Sequence, residues 1–220
     1  SDIILNGTER IHLFDTPLML SRNQGLTIEQ RFVKRTMDIV FALLAIVISS
    51  PFLLVIAVAI KLYDGGPVFY KQERLTRDRE TFQIIKFRSM KVDSEKQGAR
   101  LAMKHDDRIT PVGRVIRNLH LDELPQLFNI LKGDMSMVGP RPERPQFVEK
   151  FREEIPRYMV KHQVRPGMTG WAQINGYRGD TSIKRRIEFD LYYIENWTVG
   201  LDIKILILTI FKGFINKNAY

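Results

Sequence analysis

The chain contains no cysteine, so neither a disulfide nor a thiolate metal site belongs to its architecture. It has no Walker-type phosphate loop and no dinucleotide-type glycine fingerprint. Its four histidines, His12, His105, His120 and His162, show no metal-ligand spacing. Repeats and low-complexity runs are absent. No signal peptide is recognisable, because the one strong apolar run starts near Ile39, is too long for that role and lacks a small-residue cleavage site. Acidic residues are outnumbered by basic ones, 25 against 34, which leaves +9 on 220 residues. Such a surplus calls for an anionic partner: nucleic acid, phosphates or an acidic membrane surface. No nucleic-acid module accompanies the charge, so specific nucleic-acid binding is not expected. The length suits one compact domain.

What is present first is apolar. Ile39 to Ile60 reads IVFALLAIVISSPFLLVIAVAI, 22 residues without a charge and about the length that a hydrocarbon core requires of one helix. A buried helix of a soluble domain is the competing assignment, but such helices are seldom apolar all round. Pro51 cannot donate to the carbonyl of Val47, so a kink is expected at Ser50-Pro51, with the serine hydroxyls serving freed backbone groups. Lys34 and Arg35 precede the run and Lys61 follows it, and positive charge favours the cytoplasmic side at both ends. A helix that enters, bends and returns satisfies this, and so does a kinked spanning helix; the residues alone leave the two open. A second apolar stretch, Leu201 to Ile215, carries Asp202, Lys204 and Lys212. It suits either a helix lying in the membrane interface or an ordinary core helix.

Elsewhere the pattern is mixed. Residues 1–30 show little periodicity and read as a linker or arm from a preceding region. Gly65-Gly66-Pro67 is a turn. Val68–Gln72 and Thr81–Phe87 read as the two strands of a hairpin. Residues 91–108 are polar and read as a mobile loop with some helix. Helical patterns follow from Pro111, over Glu149–His162 with Pro156 inside, and over Ile183–Trp197.

The stretch richest in chemistry is Leu121-Asp122-Glu123-Leu124-Pro125. Proline is tolerated only in a helix's first turn, so a helix is expected to begin near Asp122. Carboxylates there meet outward N–H groups and a dipole that keeps an aspartate ionised and gathers a phosphate beside it. An ionised aspartate beside a phosphate is a nucleophile for phosphorus, whereas a plain acidic helix cap is the blander role. Arg114 and Arg117 precede this point, Lys86 and Arg88 end the second strand, and Arg141 and Arg144 flank Glu143. Prolines on both sides fix Arg141 for phosphate binding. Several of these cations equally suit a solvated surface facing anionic lipid. Asp122, Glu123 and a third carboxylate, for which Asp190 is the candidate, could hold Mg²⁺ with substrate phosphates.

Several motifs occur in one order: Lys34-Arg35 before Asp38, Ser50-Pro51, Lys86-Phe87-Arg88-Ser89-Met90, Leu121 to Leu127, Lys132 to Ser136, Gly139-Pro140-Arg141-Pro142, Arg165 to Gln173, and the ending Lys217 to Tyr220. Together they resemble the bacterial sugar transferase family, the monotopic polyprenyl-phosphate phosphoglycosyl transferases, over about residues 31 to 220. The resemblance implies a mainly α fold with a small β-hairpin (α+β), a re-entrant Pro-kinked helix over residues 31–64, interfacial amphipathic helices, and a cytoplasm-facing catalytic domain over residues 65–220. It implies that Asp122 attacks the sugar-linked phosphorus of a UDP-sugar and releases UMP. Undecaprenyl phosphate then takes the phosphosugar. Glu123 would be the Mg²⁺-associated partner, Arg117 a phosphate-binding arginine, and Arg141 would lie near the nucleotide sugar. The tail resembles glucose phosphotransferases of exopolysaccharide pathways, so UDP-glucose is the expected donor and UDP-galactose the alternative. The expected location is the bacterial inner membrane. A non-catalytic basic membrane scaffold remains a competing role, and homo-oligomerisation stays open.

Overall fold

The computed structural model describes residues 8–13, 16–21, 26–92, 94, 106–155, 157–178 and 181–213. Most of the 91–108 loop, Pro156, the side chain of Lys212, and the Lys217–Tyr220 ending lie outside the described residues. The segment expected as a linker carries an antiparallel hairpin, β1 (Thr8–Leu13) and β2 (Thr16–Ser21).

Helix α1 runs from Ile28 to Asp64. Its 37 residues span about 55 Å at ~1.5 Å per residue. A capping box starts it: the Thr27 hydroxyl accepts from the Gln30 N–H, and the Gln30 side chain accepts from the Thr27 N–H. Gly65 ends it in the left-handed region (φ 69) with its N–H on the Lys61 carbonyl. The helix continues through Pro51. Ser50 Oγ donates to the Val47 carbonyl at 2.8 Å, the group that Pro51 leaves without its i+4 donor, and Ser49 Oγ donates to Ala45 at 2.6 Å. Only 11% of the most apolar window is buried. This low burial is unlike that of a core helix in a soluble domain, and it leaves a continuous apolar surface on α1 that suits a membrane.

The two halves of α1 nevertheless grip one folded body. Ala42 packs with Phe82, Ile84, Leu127, Ile130 and Met135. Ile56 and Ile60 pack with Phe87 and Ile116. Between these anchors Val47 and Ile48 are 70% and 72% exposed.

Strands β3 (Phe69–Leu75) and β4 (Thr81–Phe87) form the expected hairpin, with Phe69 opposite Phe87. The first strand, expected over Val68–Gln72, runs instead from Phe69 to Leu75, so the connection to β4 is shorter than those bounds imply. Helix α2 (Pro111–Asn118) follows, capped by Thr110 with proline at its start. A single 3₁₀ turn, Leu121–Glu123, precedes α3 (Gln126–Lys132). Strand β5 (Ser136–Val138) pairs in parallel with β6 (Gly167–Thr169). A side chain at Gly167 would put its Cβ 2.0 Å from the Gly139 nitrogen, so this approach demands glycine.

The helix expected over Glu149–His162 divides into α4 (Pro145–Glu154) and a 3₁₀ segment, Tyr158–Gln163. Ile155 is extended (φ −121, ψ 114), the conformation forced on a residue before proline. Helices α5 (Trp171–Ile174), α6 (Ile183–Glu195) and α7 (Val199–Gly213) complete the order. Along α7, Asp202 and Ile205 are buried, while Ile203, Ile207, Ile210 and Phe211 form an exposed stripe at helical spacing. The fold is thus mostly helical, with three two-stranded sheets among the described residues and one long apolar helix.

Candidate active site

The 3₁₀ turn holds both acidic residues. His120 enters it in the left-handed region (φ 56), and Pro125 sits where the missing N–H is harmless. The expected helix start at Asp122 is thus corrected: the pair precedes a seven-residue helix, whose dipole is a minor influence beside the side chains around it.

Glu123 is 7% exposed and holds three cations. Its Oε1 accepts from Lys86 Nζ at 2.8 Å and from Arg141 Nη2 at 3.0 Å, and its Oε2 accepts from Arg178 Nη2 at 2.8 Å. Burial alone would push this carboxyl up, but Lys86, Arg141 and Arg178 outweigh it and hold Glu123 well below the usual carboxylate range. Lys86 in turn is lowered by burial and sustained by Glu123.

Asp122 contrasts with its neighbour. It is half-exposed and has no hydrogen-bond partner among the described residues. Burial and the charge of Glu123 push its carboxyl up, against Lys86, Arg117 and Arg178, which pull it down. The expectation that a helix dipole keeps Asp122 ionised is replaced by this balance. A carboxylate of raised basicity, flanked by cations and unencumbered by hydrogen bonds, is a stronger nucleophile than a solvated aspartate.

A small cavity lies behind the pair, lined by Arg74, Ile84, Lys86, Glu123, Gln126, Arg141 and Pro142. Arg74 is lowered to about 10, chiefly by burial and by Arg141 and Arg144 beside it. Cations outnumber carboxylates here, so the walls favour a polyanion.

The structure gathers Asp122, Glu123, Lys86 and Arg141, with Arg117 acting on Asp122 by charge. Arg88 is not among them: it is buried on Asp64 at the end of α1. Nor is Asp190. Its charged neighbours are Lys161, Glu143 and Arg186, with Lys161 Nζ at 3.7 Å. Arg114 is exposed on α2. Arg178 and Arg74 were missed by sequence reasoning. Arg178 hangs from the turn after α5, where Gly176 takes φ 88. A cation beside such a glycine turn was the only available signal.

For Mg²⁺, no group of three acidic or histidine side chains converges among the described residues. Three protein carboxylates are thus not assembled. The Asp122–Glu123 pair suits only an ion completed by substrate phosphates, Asp122 having no competing hydrogen bond and Glu123 being engaged by its cations.

An exposed apolar helix long enough to cross a membrane, beside a cation-walled cleft with one unpartnered carboxylate, marks a membrane-associated protein with a site suited to anionic groups. The family model for bacterial sugar transferases matches residues 29–216, and the chain belongs to that family. It is 47% identical over 220 residues to the UDP-glucose:undecaprenyl-phosphate glucose-1-phosphate transferase of Escherichia coli K12, covering 98% of this chain and 46% of that protein. It is 46% identical to the Klebsiella pneumoniae protein of the same name, with the same coverage. It is 52% identical over 188 residues to the UDP-N-acetylgalactosamine-undecaprenyl-phosphate N-acetylgalactosaminephosphotransferase of Aeromonas hydrophila, covering 83% of this chain and 44% of that protein. The chain spans about half the length of the curated relatives it matches.

Proposed function

We propose that this chain is the catalytic unit of a phosphoglycosyl transferase. It moves a hexose-1-phosphate, glucose-1-phosphate first, from a UDP-sugar to undecaprenyl phosphate and releases UMP. The observation that carries this is the division of labour in one turn: Glu123 gathers Lys86, Arg141 and Arg178, and Asp122 beside it stays unpartnered. An Asp122 oxygen attacks the sugar-linked phosphorus, and the bond to the bridging oxygen breaks with its electron pair leaving on UMP. A phosphate oxygen of the lipid then attacks the same phosphorus, forming the diphosphate and freeing Asp122. One phosphoanhydride is broken and one made, so no outside energy is needed. Lys86, Arg117, Arg141 and Arg178 bind and neutralise the phosphate oxygens. Mg²⁺ held at Asp122 and Glu123 would add charge neutralisation on the diphosphate.

The membrane arrangement belongs to the same proposal. A body on one side of a bilayer cannot touch both ends of a spanning helix, yet Ala42 and Ile60 of α1 both pack into it. This supports re-entry, with Val47 to Phe52 deepest and the Ser50–Val47 hydrogen bond serving the Pro51 site. The stripe on α7 supports an interfacial helix. Lys34 is buried, so Arg31, Arg35 and Lys61 are left as the positive flanks that favour the cytoplasmic face of the inner membrane. The first lipid-linked step of exopolysaccharide assembly is the fitting role.

The relatives' names point to glucose and N-acetylgalactosamine donors, and galactose is the further alternative. A screen of UDP-sugars with undecaprenyl phosphate in detergent, scored by UMP, tests the function. UDP-glucose is expected to give the highest kcat/KM. No UMP from any donor would leave only the scaffold role.

A further inference from the structure

Lys34, Asp38 and Asp202 take no part in the chemistry above, yet all three are buried. Lys34 Nζ, on α1, donates to Asp202 Oδ2 at 2.6 Å and to the Tyr193 hydroxyl at 3.0 Å. Trp197 Nε1 donates to the same Asp202 oxygen at 3.1 Å. The Tyr193 hydroxyl lies 2.7 Å from Asp202 Oδ1 and 3.2 Å from the Val138 carbonyl, and donates between them. One turn further along α1, Asp38 Oδ1 accepts from Ser136 Oγ at 2.9 Å and from the Met137 N–H at 2.8 Å.

These contacts join three parts of the molecule. Lys34 and Asp202 tie α1 to α7, the two helices that expose apolar faces. Asp38 and Tyr193 tie both to β5. Three residues beyond β5 stands Arg141, whose guanidinium reaches Glu123. A buried ion pair of this kind adds little net stability over apolar side chains of the same size, but it specifies one geometry.

We propose that Lys34 and Asp202 are positioning residues that fix the depth of Asp122 relative to the lipid, and so serve the lipid acceptor rather than the nucleotide donor. The proposal rests on the transferase function above. A UDP-sugar is soluble and reaches the cleft wherever it stands above the surface. The acceptor phosphate is tethered to its chain, so its reach is set by where α1 and α7 sit relative to the catalytic turn. A clamp between those helices and β5 therefore acts on the second displacement.

The test separates the half-reactions in the Lys34→Met/Asp202→Asn double variant. Both charges go together; the asparagine oxygen still accepts from Trp197 Nε1, and its N–H₂ can donate to the Tyr193 hydroxyl, which keeps the Val138 carbonyl as its own acceptor. The donor half is read as exchange of labelled UMP into UDP-glucose without lipid. The acceptor half is read as transfer to undecaprenyl phosphate in nanodiscs. Expected are donor exchange within about twofold of wild type and acceptor transfer down at least tenfold, with partial recovery on a short-chain, detergent-soluble polyprenyl phosphate. Equal loss in both halves, or unchanged acceptor transfer, overturns the proposal. Wild type showing no UMP exchange would instead sink the underlying function. If thermal unfolding shows the double variant unfolded, Tyr193→Phe decides: it removes only the bridging hydroxyl, and a selective acceptor loss of about threefold is expected. An equal loss in both halves, or none, is the overturning result.

Discussion

Replacing Glu123 by glutamine keeps the shape of the side chain and removes the charge that three cations share. The contacts at stake are 2.8 Å to Lys86, 3.0 Å to Arg141 and 2.8 Å to Arg178. A glutamine oxygen could still accept on one side, but its amide N–H₂ would then face a donor on the other. Removing one partner of a buried ion pair costs about 3–5 kcal/mol, because the remaining charges stay buried without compensation. Against a total stability of about 5–15 kcal/mol the fold should survive with a lowered Tm. Lys86, Arg141 and Arg178 would repel one another and leave the positions from which they meet phosphate. If some 3–4 kcal/mol of that misplacement reaches the transition state, kcat/KM for the UDP-sugar falls about 10²–10³-fold. UMP release against donor concentration gives the kinetics, and thermal unfolding gives the stability cost. A variant within threefold of wild type, with an unchanged Tm, would mean that Glu123 does not organise these cations.

Three further perturbations give separate readouts. Arg178→Ala removes a charged hydrogen bond to Glu123 and a cation near Asp122; a 10–100-fold rise in donor KM, about 1.5–3 kcal/mol, is expected from initial rates. Asp190, raised to about 6 chiefly by burial, favours folding fully below its unfolded pKa near 4, and that contribution is lost as pH rises through 6. Asp190→Asn mimics the protonated form, so its stability relative to wild type should rise between pH 4 and 7 by at most about 3 kcal/mol in denaturant titrations. A flat difference would show that Lys161 and Arg186 already compensate the charge. Because the chain lacks cysteine, single cysteines at Glu29 and Lys61 can be labelled in oriented vesicles. Re-entry predicts labelling from one side, and labelling from opposite sides would establish a spanning helix.

Features carried by unbroken local pattern were legible in the sequence: the 22-residue apolar run of α1 and the strands β3 and β4. Pro125 marks a boundary beside Asp122 and Glu123, but it reads as the start of a helix, whereas the pair stands on a 3₁₀ turn and the helix begins at Gln126. Long-range convergence was not legible. Arg178 reaches Glu123 across 55 residues through a glycine turn that carries no periodic signal. Lys86 and Arg88 are two apart, which on a strand would put both on one face, but β4 ends at Phe87 and Arg88 turns to Asp64. Asp190 sits on the inward face of α6, where Lys161 and Glu143 reach it from other segments, so its acidity alone misassigned it to metal. Strands β5 and β6, three residues each, are too short for alternation to reveal, and the close approach of Gly167 to Gly139 that lets them meet leaves no local pattern.

The decisive measurement is capture of the phosphosugar on the protein. Incubated with UDP-glucose labelled in the sugar, and without lipid, the intact chain should retain one labelled hexose phosphate, and peptide mapping should place it on Asp122. Asp122→Asn should retain none while remaining folded and membrane-bound. Label persisting in that variant, or UMP formed by wild type with no label on the protein at any time, would contradict the covalent route.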